Sequence, residues 1–270
     1  MTAASQQITG VSFRGVQILA LDDTGYPVVD ATTEYAGLRV IGAKALTLDR
    51  PEWETLHATG DDVILSTFRL PPTEAESGEL RIGALDMTAE ALLTGVPVAT
   101  QGEGKWLPSG MNIASLPRVC LLAWREAKSV ASGDVDRPHY QAVLIPSATL
   151  SPMGGSFEER SVGERTMRVA VNIVSAWPWG TALVAATDGG TTVQSADGSF
   201  EYVPRLCSFV GDGTVVEFTF GREAVSTDKI VVYVDGVETT SGITVAVDSL
   251  TFSTAPADGA KIVVMMEVAD

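Results

Sequence analysis

From Thr166 to Trp177 the chain alternates with a strict period of two. Met167, Val169, Val171 and Ile173 fall on one side of the pattern; Arg168, Ala170, Asn172 and Val174 fall on the other. An amphipathic helix repeats its apolar stripe roughly every 3.6 residues, whereas a strand sends successive side chains to opposite faces. The stretch is therefore a strand, and similar runs recur along the chain. They span Val11 to Leu21, Leu38 to Leu48, Val63 to Leu70, Glu79 to Leu85, Val119 to Trp124 and Tyr140 to Leu150. Pro71-Pro72, Gly154-Gly155 and Pro178-Trp179-Gly180 punctuate their ends. The pattern predicts a mainly β protein.

Three segments depart from it. Met87 to Leu93 predicts one short helix, with Asp86 or Thr88 to cap its start and Gly95 and Pro97 to stop it. Asp49 to Asp62 reads as a long loop, and Trp53 within it is a candidate anchor for a partner contact. Thr187 to Ser199 (TDGGTTVQSADGS) reads as a linker or extended loop. The expected organisation is a first domain over residues 1–186, a connection over 187–205 and a small all-β module over 206–270. Strands of that module are expected at Val215 to Phe220, Lys229 to Val234, Ile243 to Val247, Leu250 to Phe252 and Lys261 to Val268. Tight turns are expected at Asp235-Gly236 and Asp258-Gly259.

Charge narrows the partners. The formal net charge is -16, and ten acidic residues face three basic ones beyond Arg205. Such a surface repels phosphate and anionic lipid, which argues against tight nucleic-acid or membrane-surface binding. Only 19% of residues are charged, against about 25% in a typical soluble domain. The deficit predicts that other subunits cover part of the surface. Met1 to Gly10 has neither a basic start nor an apolar core, so no secretory leader is expected. No apolar run approaches the roughly 18 residues of a membrane span.

Catalytic signatures are missing from the sequence. His57 sits in the long loop and His139 follows Pro138; each reads as a surface histidine. No HExxH, GxSxG or Cys/His cluster occurs, so no metal and no cofactor is expected. Gly102-Glu103-Gly104-Lys105 lacks the upstream glycine and the following Ser/Thr of a phosphate loop. The acidic pairs Asp22-Asp23, Asp61-Asp62 and Glu158-Glu159 lack a calcium-loop spacing and read as turns. Cys120 and Cys207 form no CxxC and read as buried free thiols. Arg160, Arg165 and Arg168 form either a solvated face or a set of partners for acids on a neighbouring subunit.

The residues also carry a resemblance. The runs DDVILSTFRLPP, SGELRIGALD and AEALLTG, followed by HYQAVLIPSATL, FEERSVGERTMRVAVNIV and WPWG, resemble the major tail (tail tube) proteins of long-tailed phages over about residues 8–186. The resemblance implies a tail-tube-type β-sandwich or barrel with a flanking helix. It implies homo-hexameric rings that stack into a tube in the virion tail, after assembly in the host cytoplasm. Expected partners are a tape-measure protein, a tail terminator and baseplate (distal tail) proteins. Double-stranded DNA would pass transiently without tight binding, and no membrane insertion is implied. The Asp49 to Asp62 loop would reach the next ring, with Trp53 and Leu56 as contacts, in a tube with an acidic lumen. GDGTVVEFTF, IVVYVDGV and LTFSTAPADGAKIVV resemble small β modules of phage tails and fibres. That module would sit outside the tube as an appendage whose removal leaves assembly intact. The alternative expectation is a baseplate or capsid decoration protein.

Overall fold

The computed structural model describes residues 8–28, 38–40, 43–49, 54–60, 63–70, 76–83, 116–129, 139–153, 165–172, 193–194 and 200–269. The first strands are β1 (Ile8–Leu21), β2 (Pro27–Val28), β3 (Leu38–Val40), β4 (Ala43–Asp49), β5 (Glu54–Gly60), β6 (Val63–Leu70) and β7 (Ser77–Ile82). There follow β8 (Arg118–Ser129), β9 (His139–Pro152), β10 (Arg165–Val171) and β11 (Val193–Gln194). The C-terminal strands are β12 (Val203–Val210), β13 (Glu217–Thr219), β14 (Ile230–Val234), β15 (Val237–Glu238), β16 (Ile243–Val245), β17 (Ser249–Phe252) and β18 (Lys261–Val268). The protein is mainly β, as the alternation predicts. The expected helix at Met87 to Leu93 lies outside the described residues, whose helical content is a single 3-10 turn, Thr227–Lys229.

Every described strand pair is antiparallel, and the large sheet has the order β2-β1-β8-β9-β10-β7-β4. Its two ends come together, with β4 lying beside β1. The chain reaches β4 from β3, which pairs with the far side of β1, Val16 opposite Val40 and Ile18 opposite Leu38. The circuit therefore returns to its first strand and rolls into a barrel. Curling in this way leaves fewer free edges than an open sheet. The expected strand from Leu38 to Leu48 is seen as β3 and β4, the first paired with β1 and the second with β7.

The alternation read from the sequence fills this barrel. Met167, Val169 and Val171 of β10 meet Leu80 and Ile82 of β7, Val119 and Leu121 of β8, and Val16 and Ile18 of β1 in a core that excludes water. Arg168 and Ala170 stay exposed outside. Burying each Val, Leu or Ile is worth about 1.5–3 kcal/mol.

The second core lies outside the barrel. Cys120, Leu122 and Trp124 of β8, Tyr140 and Leu144 of β9, and Leu19 of β1 pack with Val203, Leu206, Cys207, Ile262 and Val264 in one continuous cluster. The C-terminal unit comprises a four-stranded sheet, β12-β18-β14-β15, and a three-stranded sheet, β13-β17-β16. In β12 every residue from Val203 to Ser208 is buried, so both faces of that strand are covered. The four-stranded sheet is the middle layer, with the barrel on one side. On the other side Phe209 stacks near Phe218 at 5.3 Å, and Phe218 meets Phe252 edge-on at 5.8 Å. The expected independent appendage instead shares its core with the barrel. Part of the expected connection is sheet as well: Val193 and Gln194 pair with Leu144 and Val143.

The Asp235-Gly236 turn joins β14 to β15 with φ of 49° and 79°. Positive φ at both central positions is the geometry that matches strand twist in a two-residue hairpin.

Candidate functional site

Three surfaces follow from the topology.

The first is already occupied. β12 is an edge of its sheet, so alternate N–H and C=O groups point away from β18 and need partners. Gln17 of β1 supplies them for Leu206. Its Nε2 donates to the Leu206 carbonyl at 2.8 Å, and its Oε1 accepts from the Leu206 N–H at 3.0 Å. The Ser208 hydroxyl donates to the Pro27 carbonyl at 3.0 Å. The Arg205 guanidinium lies 4.2 Å from the centre of the Trp124 ring, a cation–π contact strengthened by burial. At the rim, Lys261 donates to Asp22 at 2.9 Å. Asp22 also accepts from the Thr24 N–H and hydroxyl and from the Tyr26 N–H. Burial pushes the Asp22 carboxyl up. The hydrogen bonds from Thr24, Lys261 and Tyr26, together with the Lys261 charge, outweigh that and hold it well below the usual carboxylate range. Asp22 is thus a turn residue and an anchor, as the reading of the acidic pairs expected.

The second surface is the outside of β4, β7 and β10. Thr47 and Arg168 both lie opposite Glu79, and Asp49 and Ala170 both lie opposite Ser77. Lys44, Thr47, Asp49, Arg81, Arg168 and Ala170 are exposed. Arg81 lies 3.7 Å from Glu79.

The third is the arm. β5 and β6 form a two-stranded sheet of their own, with Leu56 opposite Phe68 and Glu54 opposite Leu70. In chain order β5 and β6 lie between β4 and β7, which pair with each other. The expected loop from Asp49 to Asp62 is corrected here: Glu54–Gly60 is a strand, because β6 offers it a register of backbone partners. At about 3.4 Å per residue the arm strands are roughly 24 and 27 Å long.

The candidate contacts fall on these surfaces unevenly. Leu56 is on the arm. Arg165 opens β10 opposite Ile82. Arg168, mid-β10, has Ser151 on one side and Glu79 on the other, so an acid of its own chain stands opposite it. Trp53 and Arg160 lie outside the described residues. Sequence reasoning missed Gln17 and Arg205. Polar residues inside apolar strands were the available signal, but their partners lie far away in the chain.

Among the described residues no group of three or more His, Cys, Asp or Glu side chains is placed to hold a metal ion. Cys120 and Cys207 are free and buried, as expected. Burial raises both thiols, Cys207 to about 12 despite the nearby Arg205 charge. Among the described residues no helix is long and apolar enough to cross a membrane. No protein-family model matches this chain, and no curated protein matches it.

Proposed function

We propose that the protein is an architectural virion subunit: copies join into hexameric rings that stack as the tail tube of a long-tailed phage. The observation that carries this reading is the β5–β6 arm. It lies in the chain between β4 and β7 and pairs with no other described strand. A lone two-stranded ribbon is marginal in water. Its register alternates Leu56 and Ala58 with Thr55, His57 and Thr59 along β5, a pattern suited to one covered face. A neighbouring copy is a natural cover, since identical subunits repeat the same contact around a closed ring.

In this reading the role is structural rather than catalytic. The tape-measure, terminator and baseplate proteins are the further partners, and duplex DNA is transient cargo. Leu56 and Trp53 contact the next ring, and Arg160, Arg165 and Arg168 contact neighbouring subunits.

Negative-stain imaging of the purified chain tests the proposal. Hollow rings or filaments with a central bore are expected. Small discrete oligomers without a bore would favour the baseplate or capsid decoration reading instead. A monomer at every concentration would end both.

A further inference from the structure

We infer that the outer face of β4, β7 and β10 is the wall of the bore, and that this wall is charge-compensated rather than acidic. The inference rests on the tube reading and deepens it.

The topology selects the face. The C-terminal unit seals the outside of β1, β8 and β9 through a continuous apolar core. In the strand order β1-β8-β9-β10-β7-β4 those strands form one side of the barrel, and β10, β7 and β4 form the other. A three-layer stack of this kind placed inside a ring would fill its bore. The C-terminal unit therefore points outward, and the opposite face of the barrel points to the axis.

The chemistry of that face fits a sliding surface. Ala170, Thr47 and Ser77 leave it without large apolar residues, so no dry contact with another protein surface is favoured there. Among the described residues its exposed charged side chains are Lys44, Arg81 and Arg168 against Asp49, with Glu79 half-buried between them, on a chain whose net charge is -16. The acids that dominate the total lie largely elsewhere, ten of them beyond Arg205.

The charges are also interleaved. Arg81 stands 3.7 Å from Glu79, and Arg168 lies opposite Glu79 in register. The two arginines thus flank the one Glu79 carboxylate, with Asp49 and Lys44 on the neighbouring strand, and such mixed charges are screened within about a Debye length. A uniformly basic wall would trap duplex DNA through counterion release, and a uniformly acidic one would oppose its entry. The compensated wall does neither. The cargo class is a long polyanion that must move without being held.

Cysteine accessibility tests the assignment, helped by the burial of both native thiols. Ala170→Cys is compared with Val237→Cys, which lies 67% exposed on the C-terminal unit. Each is treated with a small maleimide and with a maleimide on a polymer too wide for the bore. In unassembled subunits both reagents should modify both sites. In tubes the bulky reagent should still modify Val237→Cys but react at least tenfold more slowly at Ala170→Cys, while the small one reaches both.

Full reaction of Ala170→Cys with the bulky reagent in tubes would put the face outside. Its protection from both reagents would put it between subunits. Either result overturns the inference and leaves the tube intact. Failure of the wild-type chain to form tubes removes the tube reading and the inference with it. If Ala170→Cys does not assemble, Thr47→Cys on the same face serves. The charge claim has its own arm. Tubes carrying Asp49→Asn with Glu79→Gln should retain added duplex DNA at low salt and release it at high salt, whereas wild-type tubes should retain none. Equal retention by both overturns it.

Discussion

Gln17 pairs with Leu206 as a strand would, using both ends of one carboxamide to satisfy the N–H and C=O of a residue 189 positions away. Both residues are buried. Gln17→Leu would keep the apolar bulk but orphan a buried donor and a buried acceptor. A loss of about 2–4 kcal/mol is expected, read as a lower midpoint in chemical denaturation at unchanged slope. Gln17→Glu should be destabilising too, because a carboxylate cannot donate to the Leu206 carbonyl.

Gly15 sits at a register shift of β1, against Trp124. A Cβ there would lie 2.6 Å from the indole ring. Gly15→Ala should push Trp124 off the second core and cost about 1–3 kcal/mol, as overpacking does. Thermal unfolding measures the loss. Trp124→Phe in the same background should restore part of it, because the smaller ring retreats from the added methyl group.

Asp22 ties the β1–β2 turn to Lys261. Its folded-state pKa lies below the unfolded value of about 3.9. Its contribution is therefore complete above that value and drains away as the pH falls toward the folded one. Asp22→Asn should lower stability by about 1 kcal/mol at pH 7. The gap between wild type and variant should narrow steadily below about pH 4. A gap independent of pH from 7 to 2 would contradict the anchor.

Both thiols are buried, with protonation favoured well above neutral pH. The thiolate is the reactive form. Neither cysteine should react with iodoacetamide in the native protein at pH 8, and both should react in denaturant. Mass spectrometry before and after unfolding checks this.

Removing residues 206–270 should not leave a competent barrel. The cut would expose Leu19, Leu122, Trp124, Tyr140 and Leu144 together and strip Gln17 of its partner. The shortened chain is expected to aggregate on expression, with sedimentation as the readout. Recovery of soluble shortened chain that forms tubes would show that the second core is dispensable.

The strands that were legible in the sequence are those with one wet face or a strong turn beside them. Lys261–Val268 follows Asp258-Gly259, and Met167 to Val171 alternates cleanly. β12 escaped notice because it is covered on both sides: VPRLCSFV has no alternation, begins next to a proline and carries Arg205. β5 escaped because ETLHATG mixes Glu, His and Gly, and only its pairing with β6 makes it a strand. That β3 pairs with β1 and β4 with β7 was invisible for a different reason. Local pattern says that a strand exists, not which of two distant edges it serves. The candidate surfaces follow the same rule. Arg168 and Leu56 could be singled out as residues, whereas the acid standing opposite Arg168 and the arm carrying Leu56 are consequences of register.

The Gln17–Leu206 link also orders events in time. While the chain is being synthesised, the Gln17 carboxamide cannot make this link until Leu206 has emerged, 189 residues later. Bonds of such long span close slowly, because the intervening chain must first be drawn in. A chain that stops short of residue 206 leaves Leu19, Leu122 and Trp124 uncovered. The barrel therefore settles only after residues far along the polypeptide have come back to seal it.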